Sequence, residues 1–134
     1  MAAQLTPYIE SKDARAQAEF YMHALGGEVR FLMTHGQVPG VPEAMKDKVM
    51  HMAIGIAGEN ALFLSDEFVP TEGKGGRGSL TLSLTFPSEA AAREAYANLG
   101  EGGRDVYPFE LQPWGGHYGE VEDKFGIYWK ITKQ

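Results

Sequence analysis

The chain has no cysteine, which removes disulfides and thiolate chemistry from consideration and suits a reducing compartment, so a cytoplasmic location is expected. Basic residues are scarce. Lys and Arg number 12 against 18 Asp and Glu, a net charge of −6, and this argues against nucleic acid, whose phosphates select basic surfaces. No apolar run approaches the ~18 residues that a membrane-spanning helix needs. The first residues, Met1 to Leu5, lack the basic start and apolar stretch of a signal peptide, so none is expected. No Ser-His-Asp or paired-carboxylate arrangement stands at an interpretable spacing.

What is present is a hydrophobic content of 43%, enough to bury a core in one domain or in two fused halves. Leu5 to Glu10 reads as a strand. Asp13 can cap a helix running to about Leu25, with Ala14, Ala18, Tyr21, Met22 and Leu25 at helical spacing and Gly26-Gly27 as the stop. Glu28 to Met33 is a second strand. Thr34 to Asp47, with Gly36, Pro39, Gly40 and Pro42, reads as a loop with room for one short helical turn. Val49 to Ala57 and Ala61 to Ser65 form a hairpin about Gly58-Glu59-Asn60. The pattern then restarts with a strand from Ser79 to Phe86 and a helix capped by Ser88 and ended by Gly100. Three strands follow, near 104–108, 116–121 and 127–132. Each half is thus strand, helix, three strands. Periodicity by itself supports an α+β fold, mostly antiparallel.

Strand alternation sorts the faces. Leu5, Pro7 and Ile9 should turn inward, leaving Thr6, Tyr8 and Glu10 on the open side. Met50, Met52, Ile54 and Ile56 should be buried, with His51, Ala53 and Gly55 opposite, where the small neighbours leave space. Leu80, Leu82, Leu84 and Phe86 should meet the helices while Ser79, Thr81, Ser83 and Thr85 look away. Ile127, Trp129 and Ile131 should pack, leaving Tyr128, Lys130 and Thr132 open. Such an open face is either simply solvated or part of a pocket. Asp123 is expected to hydrogen-bond its own turn, with Gly126 at positive φ. Gly73 to Gly78 matches G-x-G-x-x-G, but it precedes a strand instead of opening a helix, so it reads as a linker.

The run Trp114-Gly115-Gly116-His117-Tyr118-Gly119-Glu120-Val121-Glu122-Asp123-Lys124-Phe125-Gly126-Ile127-Tyr128-Trp129 closely resembles the C-terminal signature of PhnB-like proteins. These are a branch of the vicinal-oxygen-chelate (glyoxalase/bleomycin-resistance/dioxygenase) superfamily. Leu5-Thr6-Pro7-Tyr8, Ala18-Glu19-Phe20-Tyr21, Leu25-Gly26-Gly27-Glu28, His51 and Leu62-Phe63-Leu64-Ser65-Asp66 extend the likeness over almost the whole chain. The resemblance implies one domain over 1–134, built of two βαβββ modules (about 1–67 and 79–134, joined by a linker about 68–78). Together they would form a curved mixed sheet with a concave cleft and helices on the convex face. It also implies a homodimer.

Enzymes of that superfamily hold a divalent ion with His and Glu from four strands. The matching positions here fall on Thr6, Leu64, Ser79 and Lys130, none of them a usual ligand, so neither metal nor cofactor is expected. The expected function is metal-free binding of a small polar or aromatic molecule, with Tyr8, Glu10, His51, Ser79, Thr81, Trp114, Tyr128 and Lys130 lining the cleft. The alternative is a lyase, isomerase or dioxygenase of the same superfamily, with a relocated metal (through His51, Glu10 and His117) or with His51 as general base. His23 is expected to be exposed and His35 solvated.

Overall fold

A computed structural model describes residues 4–67 and 80–134. The chain divides into two compact units, Met1–Thr71 and Glu72–Gln134. Each has the order strand, helix, three strands. The first contains β1 (Tyr8–Ser11), α1 (Ala14–Leu25), β2 (Gly27–Thr34), β3 (Val49–Ile56) and β4 (Asn60–Asp66). The second contains β5 (Leu82–Phe86), α2 (Glu89–Gly100), β6 (Arg104–Leu111), β7 (His117–Glu122) and β8 (Tyr128–Lys133). The strand orders are β1-β4-β3-β2 and β5-β8-β7-β6. In each sheet the strand before the helix pairs parallel to the last strand, and the other neighbours are antiparallel. The fold is therefore α+β and made of two βαβββ modules.

The two helices are built alike. Each has 12 residues, and each N-cap oxygen accepts the amide three residues on: Asp13 from Ala16 and Ser88 from Ala91, both at 3.1 Å. Eight residues past each cap stands a buried tyrosine, Tyr21 or Tyr96. Tyr21 and its buried neighbour Gln17 satisfy each other, the Gln17 amide donating to the phenol oxygen at 2.7 Å. Tyr96 donates to the Tyr107 carbonyl at 2.9 Å. α1 lays Ala14, Ala18 and Tyr21 on Val49, Met52, Ile54, Ile56, Leu62 and Leu64. In the second unit Ala92, Ala95, Tyr96 and Leu99 join Phe109, Val121, Trp129 and Ile131 in the core.

Gly119 explains one glycine of the Trp114 motif. A Cβ there would stand 2.7 Å from the Phe109 Cα and 2.9 Å from the Tyr96 ring, so only glycine admits the Tyr96–Phe109 pair. Gly119→Val is expected to cost about 1–3 kcal/mol through overpacking. Urea unfolding is the check, and a midpoint equal to the parent's would refute this account of the packing.

Several boundaries differ from the sequence-based expectation. Leu5 is fully exposed and Pro7 is exposed, because β1 begins only at Tyr8. Leu80 is likewise 70% exposed, and β5 begins at Leu82. β6 runs on through Pro108 to Leu111. It is an edge strand, irregular in register between Tyr107 and Glu110, which is where a proline is tolerated. The loop after β2 holds two short 3₁₀ turns, His35–Gln37 and Glu43–Met45, and His35 is half-buried instead of solvated. Residues 68–79, which include Ser79 and the glycine-rich segment, lie outside the described residues.

Candidate functional site

The open face of the first sheet carries the densest group of chemically useful side chains. Its register makes two rows. Tyr8, Phe63, Ala53 and Phe31 stand side by side across β1, β4, β3 and β2. The adjacent row holds Glu10 and Ser65, which are paired, and His51 and Met33, which are paired. Ala53 has almost no side chain, and the His51 imidazole uses the room this leaves. Its centroid lies 4.8 Å from Phe63, 5.7 Å from Tyr8 and 5.8 Å from Phe31. Neither ring nitrogen makes a hydrogen bond with any described residue, although the side chain is only half-exposed. Glu10 is two strands away, about 10 Å at the backbone, so it flanks His51 across Ser65 without touching it.

Phe31 and Phe63 escaped the sequence reading. Their signal was an apolar residue on the outward phase of a strand whose inward phase is already apolar: Phe63 alternates with the buried Leu62 and Leu64. Gly55 does not leave the space expected of it. The Arg30 guanidinium lies over it, carried there by a bulge between Val29 and Phe31, and pairs with Glu59 at 3.4 Å. A shallow surface hollow of about 370 Å³ adjoins this point, lined by Gly27, Glu28, Arg30, Gly55 and Glu59 among others.

The second sheet's open face sets tyrosines among charged and hydroxyl groups. Arg104 donates to Glu122 at 2.7 Å and to the Tyr128 hydroxyl at 2.8 Å. Tyr118 donates to Glu120, and its ring meets Tyr107 at 5.8 Å. Thr132 and Thr85 share a hydrogen bond of 2.9 Å. Lys130 stands exposed on the central strand β8, between Ser83 and Glu120. Thr81 is half-buried just ahead of β5. Burial first, then the Glu120 hydrogen bond and charge, push Tyr118 up to about 12, and burial with the Asp105 charge does the same to Tyr96. A phenol whose folded pKa lies above its unfolded value stabilises the fold fully below the unfolded pKa. That contribution is lost as pH rises through the folded value. Both phenols are therefore expected to stay protonated near pH 11, with stability declining from about pH 10 toward pH 12. Ultraviolet titration of the parent against Tyr96→Phe and Tyr118→Phe tests this, and a full complement of tyrosinate before unfolding would contradict it.

Two expected site residues part company. Trp114, 72% exposed, precedes β7, whereas Tyr128 pairs with Glu122 at the far end of the same strand, roughly 17 Å away. They cannot line one contact point on this sheet. His117 faces α2. It stacks on Phe109 at 5.6 Å, its Nε2 is 3.5 Å from Glu89, and its buried Nδ1 has no partner. A metal set of His51, Glu10 and His117 is thereby corrected, since His117 is turned to the helix side of its own sheet. Leu64, which carries no ligand atom, is fully buried in the core of the first unit. Of the residues that the resemblance sets at the superfamily's metal positions, Thr6 is a weak donor, Leu64 is core and Lys130 is itself a cation, so they do not fit an ion. Among the described residues no three His, Cys, Asp or Glu side chains gather closely enough to hold a metal. No helix among them is long and apolar enough to cross a membrane.

Comparison with known proteins agrees with this architecture. Protein YjdN of Escherichia coli is 25% identical over 140 residues, covering 96% of this chain and 93% of its own. The crystal structure of protein PA1353 from Pseudomonas aeruginosa matches with a TM-score of 0.84 at 29% identity, covering 99% of this chain and 98% of that one. A Bacillus cereus structure described as a putative 3-demethylubiquinone-9 3-methyltransferase, PhnB protein, matches at 0.81 and 18% identity, covering 98% and 100%. A bleomycin-binding protein in complex with bleomycin matches at 0.62 and 19%, covering 99% of both chains. At 18–19% identity the last two speak for the fold alone. The sequence profile of one family spans residues 8–131, from the first residue of β1 into β8, and with it the chain belongs to the Glyoxalase/Bleomycin resistance protein/Dioxygenase superfamily.

Proposed function

We propose that the protein binds a small aromatic molecule with a polar group on the open face of its first sheet, without a metal. The observation that carries this reading is His51, an imidazole walled by Tyr8, Phe31 and Phe63 whose nitrogens are taken by no described residue. The rings offer stacking area at low conformational cost, and the imidazole offers one donor and one acceptor. Glu10, beyond Ser65, favours a ligand bearing a hydrogen-bond donor at that end. A structure of similar fold holds bleomycin, which lends the reading an analogy.

Thermal-shift screening of aromatic, glycopeptide and phosphonate compounds tests it. A true ligand at a hundredfold excess over its Kd adds about 2.7 kcal/mol of stability. His51→Ala and Ala53→Leu should each remove that gain while leaving the unliganded midpoint within a few degrees of the parent. Failure of every compound under saturating conditions would count against binding. A gain that survives both substitutions would move the site elsewhere.

The same unpartnered imidazole favours a second reading, an enzyme in which His51 is general base. There His51→Ala abolishes turnover with the fold intact, and turnover near the parental level in that variant would exclude His51 from the chemistry. We further propose a cytoplasmic homodimer. The edge strands support the dimer by exposing Val29, Phe31 and Leu32 on β2 and Val106, Tyr107 and Leu111 on β6. A monomer mass by light scattering would remove it.

A further inference from the structure

We propose that Lys130 is an oxyanion receptor on the open face of the second sheet, taking the carboxylate of a small ligand. The register sets Ser83, Lys130 and Glu120 in one row across β5, β8 and β7. Lysine is poorly suited to a central strand, and one placed there normally pairs with the carboxylate opposite. Here that pair is not made. Glu120 is drawn along its own strand to the Tyr118 hydroxyl. Glu122 is held by Arg104, Arg104 also by Tyr128, and Thr132 by Thr85. Among the described residues, Lys130 is therefore the one charged group on the open face of β5, β8 and β7 with neither an ion pair nor a hydrogen bond.

The surrounding chemistry narrows the ligand. An ammonium has three donors and no acceptor, so its complement is an acceptor-only group. Ser83, exposed on the neighbouring strand, adds a hydroxyl donor beside it. The same oxyanion chemistry could come from a carboxylate or from a phosphoryl group. Glu120 decides between them. Its charge lies next to the site and, in a chain already at −6, offsets the second unit of attraction that Lys130 would give a dianion. A carboxylate is the favoured class. The proposal uses residues of the second unit only and does not depend on His51.

The test is a titration followed by backbone and side-chain NMR in low-salt, phosphate-free buffer, using benzoate, phenylphosphonate and the neutral benzyl alcohol as probes. Benzoate should perturb Ser83, Lys130 and Thr132 saturably, benzyl alcohol should not, and phenylphosphonate should bind more weakly than benzoate. Lys130→Met should weaken benzoate about 2- to 5-fold, the loss typical of an ion pair that stays exposed to solvent, while Lys130→Arg retains most of it. Glu120→Gln should strengthen phenylphosphonate more than benzoate. His51→Ala should change none of this, so failure here is separable from failure of the aromatic site. Unaltered benzoate binding in Lys130→Met, or perturbations centred away from Ser83 and Lys130, overturns the proposal. So does the absence of any benzoate response up to its solubility. Tighter binding of phenylphosphonate than benzoate overturns the carboxylate assignment.

Discussion

Asp123→Ala is expected to lower the melting temperature by roughly 10–20 °C, the largest effect of any single substitution considered for the second unit. Asp123 is almost wholly buried. Its Oδ1 accepts the amides of Phe125 and Ile127 at 2.8 and 3.1 Å, and its Oδ2 accepts the Trp129 indole N–H at 2.8 Å. Alanine would strand three donors. Each unsatisfied buried donor costs about 1–3 kcal/mol, and two of these are partly reached by water, so a total of about 3–5 kcal/mol is expected. That is a large part of an ordinary domain's stability of about 5–15 kcal/mol. Asp123→Asn should cost less, because its carbonyl oxygen can still take the two turn amides, while its NH₂ would confront the indole N–H. Differential scanning calorimetry of the two variants gives the ranking. Equal midpoints for parent and Asp123→Ala would mean the carboxylate does not hold the turn.

Asp123 also shows how far the sequence reaches. Its turn was legible because the determinants are local: Asx chemistry followed three residues later by Gly126, whose φ is +88°. The indole contact was not, since it depends on Trp129 pointing back under the turn. The helices were legible for the same local reason, with Asp13 and Ser88 as caps and Gly26 as a stop at φ +76°. Faces of the inner strands followed from alternation, so Met52, Ile54, Trp129 and Ile131 are buried as the pattern requires. Alternation does not say where a strand begins, and Leu5 and Leu80 were lost that way.

The candidate site was legible only in part. His51 stood out as a polar residue followed on its own face by the small Ala53 and Gly55. Their outward phase marked Phe31 and Phe63 as unusual, but not that they meet His51, because Phe31 reaches it through a bulge and Phe63 through cross-strand register, which the linear order of residues does not display. Trp114 and Tyr128 belong to the same motif, yet β7 separates them end to end, a distance that the motif's letters do not display.

Asp66→Ala is expected to cost about 2–4 kcal/mol and to loosen the aromatic face as well. The Asp66 carboxylate at the end of β4 accepts the amide of Ala14 through Oδ1 and the amide of Val49 through Oδ2, each at 2.7 Å. Ala14 is the first residue of α1, so the negative charge also meets the positive end of the helix dipole. One side chain thereby ties the helix start, the start of β3 and the end of β4 together. Hydrogen bonds to a charged acceptor are worth about 1.5–3 kcal/mol each, and partial exposure of the site reduces what their loss costs. Asn offers a single good acceptor, so Asp66→Asn should release one amide and fall between parent and alanine. Hydrogen exchange reads this residue by residue: the Ala14 and Val49 amides should lose protection in Asp66→Ala ahead of the rest of α1 and β3. Val49 lies two residues before His51 on the same strand. A freed strand start should therefore broaden the NMR signals of His51 and weaken any aromatic ligand held there. Protection at both amides equal to the parent's, or a His51 signal unchanged while Val49 exchanges freely, would break the link between this carboxylate and the site.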